Sequence, residues 1–401
     1  MTSGNNFLSQ FHNTIPRLYI TAETDTMAEF DQVTLKHWRS EGFDITYLPY
    51  ADGGEGYVEE ILGIAGTLAL GEFYGIVAYG DAAAVCLETF RTIQAGKLCV
   101  LVAYYPSSIP DPFREFPVNT RVLVHLAGEE VGVTRTQELL GIQGKRKTVR
   151  KSIPEGVGIS GFIKKLAYPS YAYEGVEPGF AEWDLEEFDK VASRIAWTRS
   201  LDAVRKGFRA EVDIEKVWDE HVELEFVTRD PDKTMETMVA RPYVNHVPTL
   251  TGGVGKKDLR RFYADYFIPS NPPSLKMRLI SRTIGTDRVV DEMILSFKHT
   301  QEMPWMLPGV PPTNKSVEVA LVSVVRVRGG KLEHEHIYWD QATVLVQLGL
   351  LDPKLIPDAF KDKVKMLPVA GAESARKVAD EDSEPSNDLI PDWNEEEEEE
   401  G

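Results

Sequence analysis

The first half of the chain alternates short apolar runs with segments whose apolar residues recur every three or four positions. Strand-like runs cover 18–20, 43–48, 74–79, 98–103 and 121–125, and the segments between them, such as 57–70 and 81–94, have helical spacing. This alternation predicts a parallel sheet with helices on both faces. Side chains with chemistry are expected where the strands end, at Tyr79-Gly80-Asp81, Tyr104-Tyr105-Pro106 and Ala127-Gly128-Glu129-Glu130.

The order of elements changes at Asp213, after which helices come first and strands follow. Apolar residues at helical spacing occupy 214–224, and strands are expected at 276–282, 288–301, 317–328 and 331–340. Gly329-Gly330 separates the last two strands and predicts a tight antiparallel hairpin. Helices followed by a curved sheet indicate an α+β cone with a pocket at its open end.

The last predicted strand carries the most concentrated chemistry in the chain. Because side chains alternate between the two faces of a strand, His334, His336, Tyr338 and Asp340 share one face. Titratable groups on a concave sheet are suited to proton transfer, since burial can move their pKa values toward neutrality. The alternative is a solvated strand face.

Three segments of the second half carry a family resemblance. Glu335-His336-Ile337-Tyr338-Trp339-Asp340 with the following Gln347-Leu348-Gly349, the segment 243–248, and the Pro311-Pro312-Thr313 turn together resemble SnoaL-like polyketide cyclases over 213–352. These belong to the nuclear transport factor 2-like cone fold. The resemblance implies that the carboxylate ending the terminal strand, here Asp340, is the acid/base.

A candidate site follows from the resemblance and from the predicted pocket. We expect Asp340 as the catalytic acid/base with His336 or His246 beside it, and substrate contacts from Asn245, His299, Trp305 and Tyr338. His334 and His336 form a His-x-His pair without a third ligand at a recognisable spacing, so no metal is expected. No cofactor is expected either.

The first half resembles the dienelactone hydrolases of the α/β-hydrolase superfamily over 18–208. The resemblance rests on the turn at 78–83, the Tyr104-Tyr105-Pro106 corner, the strand end at 127–130 and the segment 173–180. It departs from the family at the triad: Gly80 stands at the nucleophile position and Pro178 at the histidine position, while Glu130 retains the acid. Without a nucleophile and a base, covalent acyl transfer is not expected. A rewired hydrolase using Asp81 is the alternative.

Charge and cysteine content narrow the function classes. The net charge is −19, but twelve acidic and no basic residues lie in 380–401, and the rest of the chain carries only −7. An acidic, disordered tail is therefore expected, and no basic stripe exists for nucleic acid. Two cysteines, Cys86 and Cys99, in apolar surroundings predict buried thiols. The absence of a long apolar run predicts no membrane span, so a cytoplasmic protein is expected.

The predicted organisation has four parts. These are an N-terminal extension (1–16), a dienelactone hydrolase-like domain (17–210), a SnoaL-like cone domain (211–352) and a C-terminal extension with the acidic tail (353–401). The predicted function is acid/base chemistry on a small carbonyl or lactone substrate in the cone pocket, of the cyclase, isomerase, dehydratase or hydrolase type. A ligand-binding or scaffolding pseudoenzyme is the alternative. The resemblance also implies a homodimer through the outer face of the cone sheet.

Overall fold

A computed structural model describes residues 15–50, 55–139, 142–391 and 393. The chain separates into two compact units, with the boundary between Val212 and Asp213. Most of the predicted N-terminal extension and the Glu395–Glu400 run of the acidic tail lie outside the described residues.

The N-terminal unit contains a six-stranded sheet. Its strands are β1 (Arg17–Ala22), β2 (Asp44–Pro49), β3 (Tyr74–Tyr79), β4 (Leu98–Tyr104), β6 (Arg121–Leu126) and β9 (Ser170–Ala172). They lie in the order β2-β1-β3-β4-β6-β9, and every neighbouring pair is parallel. The helices are α1 (Gln32–Ser40), α2 (Glu55–Thr67), α3 (Gly80–Thr92) and α4 (Lys190–Phe208).

Helices cover both faces of this sheet, as the sequence predicted. Leu18 and Ile20 of β1 belong to an apolar cluster that includes α1 and α4, whereas Tyr19 between them belongs to a cluster with α2 and α3. Neighbouring side chains of one strand thus enter opposite cores. A separate three-stranded sheet contains β5 (Ser108–Ile109), β7 (Glu130–Leu139) and β8 (Ile142–Ser152).

The C-terminal unit begins with helices and continues into one curved sheet. The helices are α5 (Ile214–Val222), α6 (Pro231–Glu236), α7 (Lys256–Arg261), α8 (Gln341–Leu348) and α9 (Glu373–Ala379). The strands are β10 (Met238–His246), β11 (Thr251–Val254), β12 (Lys276–Ile284), β13 (Arg288–Lys298), β14 (Ser316–Arg328) and β15 (Lys331–Trp339). Their order is β11-β10-β15-β14-β13-β12.

The predicted Gly-Gly hairpin is confirmed between β14 and β15. Gly329 and Gly330 have φ values of 55° and 70°, the left-handed region that a two-residue turn of this kind requires. The two strands pair antiparallel over most of their length, with a register shift at Arg326 and Val327. The concave face of the sheet packs on the helices around an apolar core that includes Trp218, Leu259 and Trp339.

Two further predictions concern the cysteines and membrane-spanning helices. Cys86 and Cys99 are buried free thiols, as expected. Within the described part of the chain, no helix combines the length and the apolar character needed to cross a membrane.

Candidate functional site

The C-terminal unit encloses a cavity of about 240 Å³ between the concave sheet face and the helices. Its wall is mostly apolar, and its titratable and hydroxyl side chains are those of Glu225, Glu335, Asp291, Arg282, His246, Ser323 and Tyr263. Met277 and Leu279 of β12 line the cavity while remaining 37% and 51% exposed, so they mark its mouth. An apolar cavity with a few convergent polar groups is the usual form of a small-molecule site.

A buried cluster of His221, Glu225 and Glu335 forms one side of this site. His221 is on α5 and lies just behind the wall, with its Nε2 atom 3.0 Å from Glu225 Oε1 and 3.1 Å from Glu335 Oε1. Glu335 is on β15, and Tyr263 donates a hydrogen bond to its Oε1 at 3.5 Å. These three side chains and that of Tyr263 are at most 3% exposed. Buried charges are tolerated when they are paired in this way.

Burial and pairing act in opposite directions on these groups. Burial alone lowers the pKa of His221, but Glu225 and Glu335 outweigh it and raise that pKa to about 10. Burial raises the pKa of Glu335, while the charge of His221 opposes the change. The pKa of Tyr263 is raised well above its ordinary value, chiefly by burial. A carboxyl group with a raised pKa beside an imidazolium is suited to general acid/base work.

Two irregular helical turns bring these side chains into the wall. The chain forms π-helical turns at Glu223–Thr228, which carries Glu225, and at Phe262–Phe267, which carries Tyr263. π-Helical turns are rare and often occur at functional sites, because the extra residue per turn re-aims the side chains. Here they place a carboxylate and a phenol in the cavity region.

A row of four side chains, three of them polar, crosses the sheet on the face that lines the cavity, and we call it the polar row. His246 of β10 is the register partner of Ile337 on β15, Ile337 of Ser323 on β14, and Ser323 of Asp291 on β13. These four side chains all line the cavity. Glu335 lies two residues before Ile337 and therefore faces the same side.

His246 and Ser323 have unused hydrogen-bonding capacity. Neither His246 Nδ1 nor Ser323 Oγ has a hydrogen-bond partner among the described residues, although the side chains are 3% and 1% exposed. Burial lowers the pKa of His246 to about 4, so the ring is neutral at physiological pH. Phe262, Phe267 and Trp305 surround the ring at centroid distances of 5.6, 5.6 and 5.1 Å. Unsatisfied buried polar atoms in a cavity indicate a place for a ligand.

Asp291 is fully engaged by neighbours. Trp218 Nε1 donates to its Oδ2 at 2.7 Å, and Arg282 donates to both carboxylate oxygens at 2.7 and 2.8 Å. Arg282 also bonds Glu215 and Asp219 of α5 at 3.0 and 2.8 Å. The arginine thus ties α5 to the β12–β13 side of the cavity.

Only two of the residues predicted from sequence line the cavity, namely His246 and Trp305. Asp340 does not, and this expectation requires correction. Asp340 is exposed and caps α8, accepting hydrogen bonds from Ala342 N at 3.0 Å and from Thr343 Oγ1 at 2.6 Å. An aspartate at the start of a helix satisfies otherwise unpaired backbone N–H groups, which accounts for its position.

The other predicted residues also lie outside the cavity wall. His336 and Tyr338 are on the opposite face of β15 from Glu335 and Ile337, and Tyr338 is 42% exposed. Asn245 is the register partner of His336 on the same side of the sheet. His299 is buried away from the cavity, with Nδ1 3.2 Å from Thr313 Oγ1. The alternation of side chains along β15 was predicted correctly, but the polar face was taken for the concave one.

Sequence reasoning missed His221, Glu225 and Glu335. His221 falls within the helix predicted over 214–224, and Glu225 follows it at a spacing of four, which is the one sequence signal that joins the two. The ligand atoms of the three residues lie within 4.8 Å of one another. These are residue types that bind divalent cations, and binding one here would require His221 to release its Nε2 proton.

The three predicted triad positions of the N-terminal unit do not form a reactive group. Gly80 has φ 53° at the turn from β3 to α3, and the side chain of Glu23 accepts a hydrogen bond from the backbone N–H of Asp81 beside it. Glu130 begins β7 as an exposed residue, and Pro178 is exposed. The parallel sheet with flanking helices is shown, whereas no comparison supports the hydrolase resemblance itself.

Comparisons with known proteins concern the C-terminal half. Residues 214–348 match the family described as SnoaL-like polyketide cyclase, so this half of the chain carries a SnoaL-like domain of the nuclear transport factor 2-like cone fold. No curated protein matches the chain significantly.

Several solved structures also align with part of the chain. TsrD from Streptomyces laurentii is 17% identical, with 35% of this chain and 100% of that chain covered and a TM-score of 0.29. An NTF2-like protein from Burkholderia thailandensis E264 is 16% identical, with 34% and 98% covered and a TM-score of 0.27. The epoxide hydrolase/cyclase-like enzyme SalBIII is 12% identical, with 32% and 90% covered and a TM-score of 0.25.

Proposed function

We propose that the C-terminal unit is a small-molecule enzyme that moves a proton to and from an apolar substrate inside its cavity. The observation that carries this proposal is the contact of His221 Nε2 with two buried carboxylates, one of which, Glu335, lines the cavity. Cyclisation, isomerisation and dehydration each need a base that removes a proton and an acid that returns it.

Glu335 is the best candidate for the base. Among the carboxylates of the described cavity wall, Asp291 is occupied by Trp218 and Arg282, and Glu225 lies on a helical turn. Glu335 instead lies on a central strand, where the backbone is fixed on both sides by β10 and β14. Because burial raises its pKa, proton uptake from a weakly acidic C–H group is less unfavourable than for an exposed carboxylate.

The remaining cluster members hold this carboxylate in place. His221 and Tyr263 both contact Glu335 Oε1, which fixes the orientation of the carboxylate and leaves Oε2 as its other acceptor. His246 and Ser323 offer hydrogen-bonding atoms that could orient a bound substrate. We assign no covalent intermediate, since a positioned base in a dry cavity is sufficient for these reaction classes.

A generic proton-abstraction probe tests the proposal without knowledge of the substrate. 5-Nitrobenzisoxazole loses one C–H proton to a base while its N–O bond breaks, giving a coloured cyanophenolate. The full chain should catalyse this reaction faster than acetate, a free carboxylate base, does in solution. Glu335→Gln should lower the rate of the protein about 100-fold or more. Asp340→Asn is the matched control, because it neutralises a carboxylate outside the cavity while keeping a helix-capping side chain.

Binding measured beside turnover separates the alternatives. Quenching of tryptophan fluorescence by the probe reports occupancy, since Trp218 and Trp305 line the cavity. Equal rates for wild type and Glu335→Gln at equal occupancy would reject Glu335 as the base. If the probe occupies the cavity but reacts no faster than with acetate in solution, the proposed catalytic function is rejected and the ligand-binding alternative remains.

A further inference from the structure

The charges of the cavity wall are unbalanced in a way that restricts the ligand. Glu225, Glu335 and Asp291 line the cavity, and Arg282 is the one cation among the described lining residues. Arg282 is already bonded to Asp291, Glu215 and Asp219. His221 stands behind the wall and already contacts two carboxylates.

An anionic ligand would therefore find no cation to pair with. Each cation at the cavity has at least two carboxylate partners, and a carboxylate or phosphate brought into this apolar space would remain uncompensated. An isolated charge buried in this way is strongly disfavoured. The wall thus selects against negative charge on the ligand.

The polar atoms without a hydrogen-bond partner also favour a positively charged ligand over a negatively charged one. His246 is neutral, its Nδ1 atom has no partner among the described residues, and the ring forms a hydrogen bond with the backbone of Thr251. Nδ1 is then a free acceptor. Ser323 Oγ, two strands away on the same row, has two lone pairs and one proton to offer. The polar atoms of the cavity that lack partners are therefore mainly hydrogen-bond acceptors, and they suit a ligand that carries a hydrogen-bond donor.

Proton removal adds a further requirement. When Glu335 takes a proton from carbon, negative charge develops on the substrate, and enzymes usually stabilise such charge with a cation or with aimed donors. No cation of the described wall is available for this task. A positive charge carried by the substrate itself would balance the developing negative charge.

We propose that the ligand of this cavity is an apolar molecule bearing a protonated amine, and that ligands bearing a carboxylate are excluded. The inference rests on the proposed function for the identity of the site, and it adds the class of substrate. The ammonium group would donate to the wall carboxylates and to the acceptors on the polar row, while the apolar body would pack on the aromatic residues around His246.

Three probes that share one skeleton test this inference with the full chain. 2-Naphthylmethylamine, 2-naphthylmethanol and 2-naphthoate place a cation, a neutral donor and an anion on the same aromatic body. Calorimetric titration at neutral pH should give the order amine, alcohol, carboxylate, with about tenfold or more in Kd between successive members. A carboxylate that binds as tightly as the alcohol would overturn the inference.

Variants show whether the wall causes the preference. Glu335→Gln and Glu225→Gln, each made separately, should reduce the advantage of the amine over the alcohol, whereas Asp340→Asn should leave it unchanged. An amine preference that survives both cavity variants would also overturn the inference. The two proposals can fail separately. Preferential binding of the amine without turnover of 5-nitrobenzisoxazole would contradict only the proposed function. Turnover, together with a carboxylate that binds as tightly as the alcohol, would contradict only this inference.

Discussion

Thr237 Oγ1 lies 2.6 Å from His221 Nδ1, and the same hydroxyl donates its proton to the carbonyl of Thr234 at 2.7 Å. A hydroxyl has one proton to give, so Thr237 must accept from the Nδ1–H group of His221. The protonated ring therefore gives its Nδ1–H group to Thr237 and its Nε2–H group to Glu225 and Glu335. Thr237, which directly precedes β10, thus orients the ring of His221 toward the two carboxylates.

Replacing Thr237 should destabilise the cluster. Thr237→Val keeps the shape of the side chain but leaves the buried Nδ1–H group without its acceptor, which should lower the free energy of unfolding by about 1 to 3 kcal/mol. Thr237→Ser retains the hydroxyl and is the matched control. Urea unfolding followed by circular dichroism measures both, and an equal loss in the two variants would show that the methyl group, and not the hydrogen bond, matters.

The stability contributed by His221 should depend on pH. Its pKa is raised from an ordinary 6.5 to about 10 in the folded protein, so the folded state holds this proton more tightly than the unfolded state. The contribution is therefore fully present below about pH 6.5 and is lost as the pH rises toward 10. We expect the difference in unfolding free energy between wild type and His221→Gln to fall by an amount on the order of a few kcal/mol over that window.

The difference between the two unfolding free energies cancels the titration of groups that do not contact His221. The experiment consists of urea unfolding of wild type and His221→Gln at several pH values within this range. A difference that stays constant, or that grows as the pH rises, would contradict the paired imidazolium at the centre of the site.

The architecture could largely be predicted because its signals are local. Apolar residues that repeat every second position locate strands, and those that repeat every three to four positions locate helices. Gly329-Gly330 defines the last hairpin because glycine readily adopts two successive positive φ values. The SnoaL-like match over 214–348 agrees with the predicted cone domain. These features depend on neighbours in sequence, which is why they can be read without coordinates.

The site could not be predicted to the same degree because it depends on distant contacts. Alternation along β15 separates His336 from Glu335, but it cannot show which face is concave, and the packing of Trp339 against Trp305 decides that. The π-helical turns that carry Glu225 and Tyr263 have no pattern that periodicity would reveal. The available hint at Glu335 was that it shares a strand face with the apolar residues Ile337 and Trp339.

Asp340 should matter for stability rather than for turnover. Its side chain caps α8 by accepting from Ala342 N and Thr343 Oγ1. Asp340→Ala should cost about 0.5 to 2 kcal/mol of unfolding free energy, whereas Asp340→Asn should cost less because asparagine also caps helices. Neither should change the rate with 5-nitrobenzisoxazole at equal occupancy. A large loss of rate in Asp340→Asn, with stability and binding preserved, would restore this residue as the acid/base.

Arg282 should be required for the stability of the cavity wall. Arg282→Met leaves the buried Asp291 with only Trp218 as a partner, and we expect a loss of about 2 to 4 kcal/mol in unfolding free energy. Arg282→Lys keeps the charge but loses the two-pronged contact, so its loss should be smaller. Thermal and urea unfolding test the order. Equal stability of Arg282→Met and wild type would mean that Asp291 is accommodated without its cation.

Gly80 offers a test of the N-terminal unit that is independent of the cavity. Its φ of 53° is unfavourable for any residue with a Cβ atom, and a Cβ there would meet the side chain of Glu23. Gly80→Ala should therefore lower the unfolding free energy by about 1 to 2 kcal/mol. Gly63→Ala in α2 is the matched control, because its Cβ would enter open space within a helix and should stabilise the protein by up to about 1 kcal/mol. If Gly80→Ala were as well tolerated as Gly63→Ala, the turn would not be held in its left-handed conformation, and Gly80→Cys could then be used to ask whether a nucleophile placed at this turn has any reactivity toward esters.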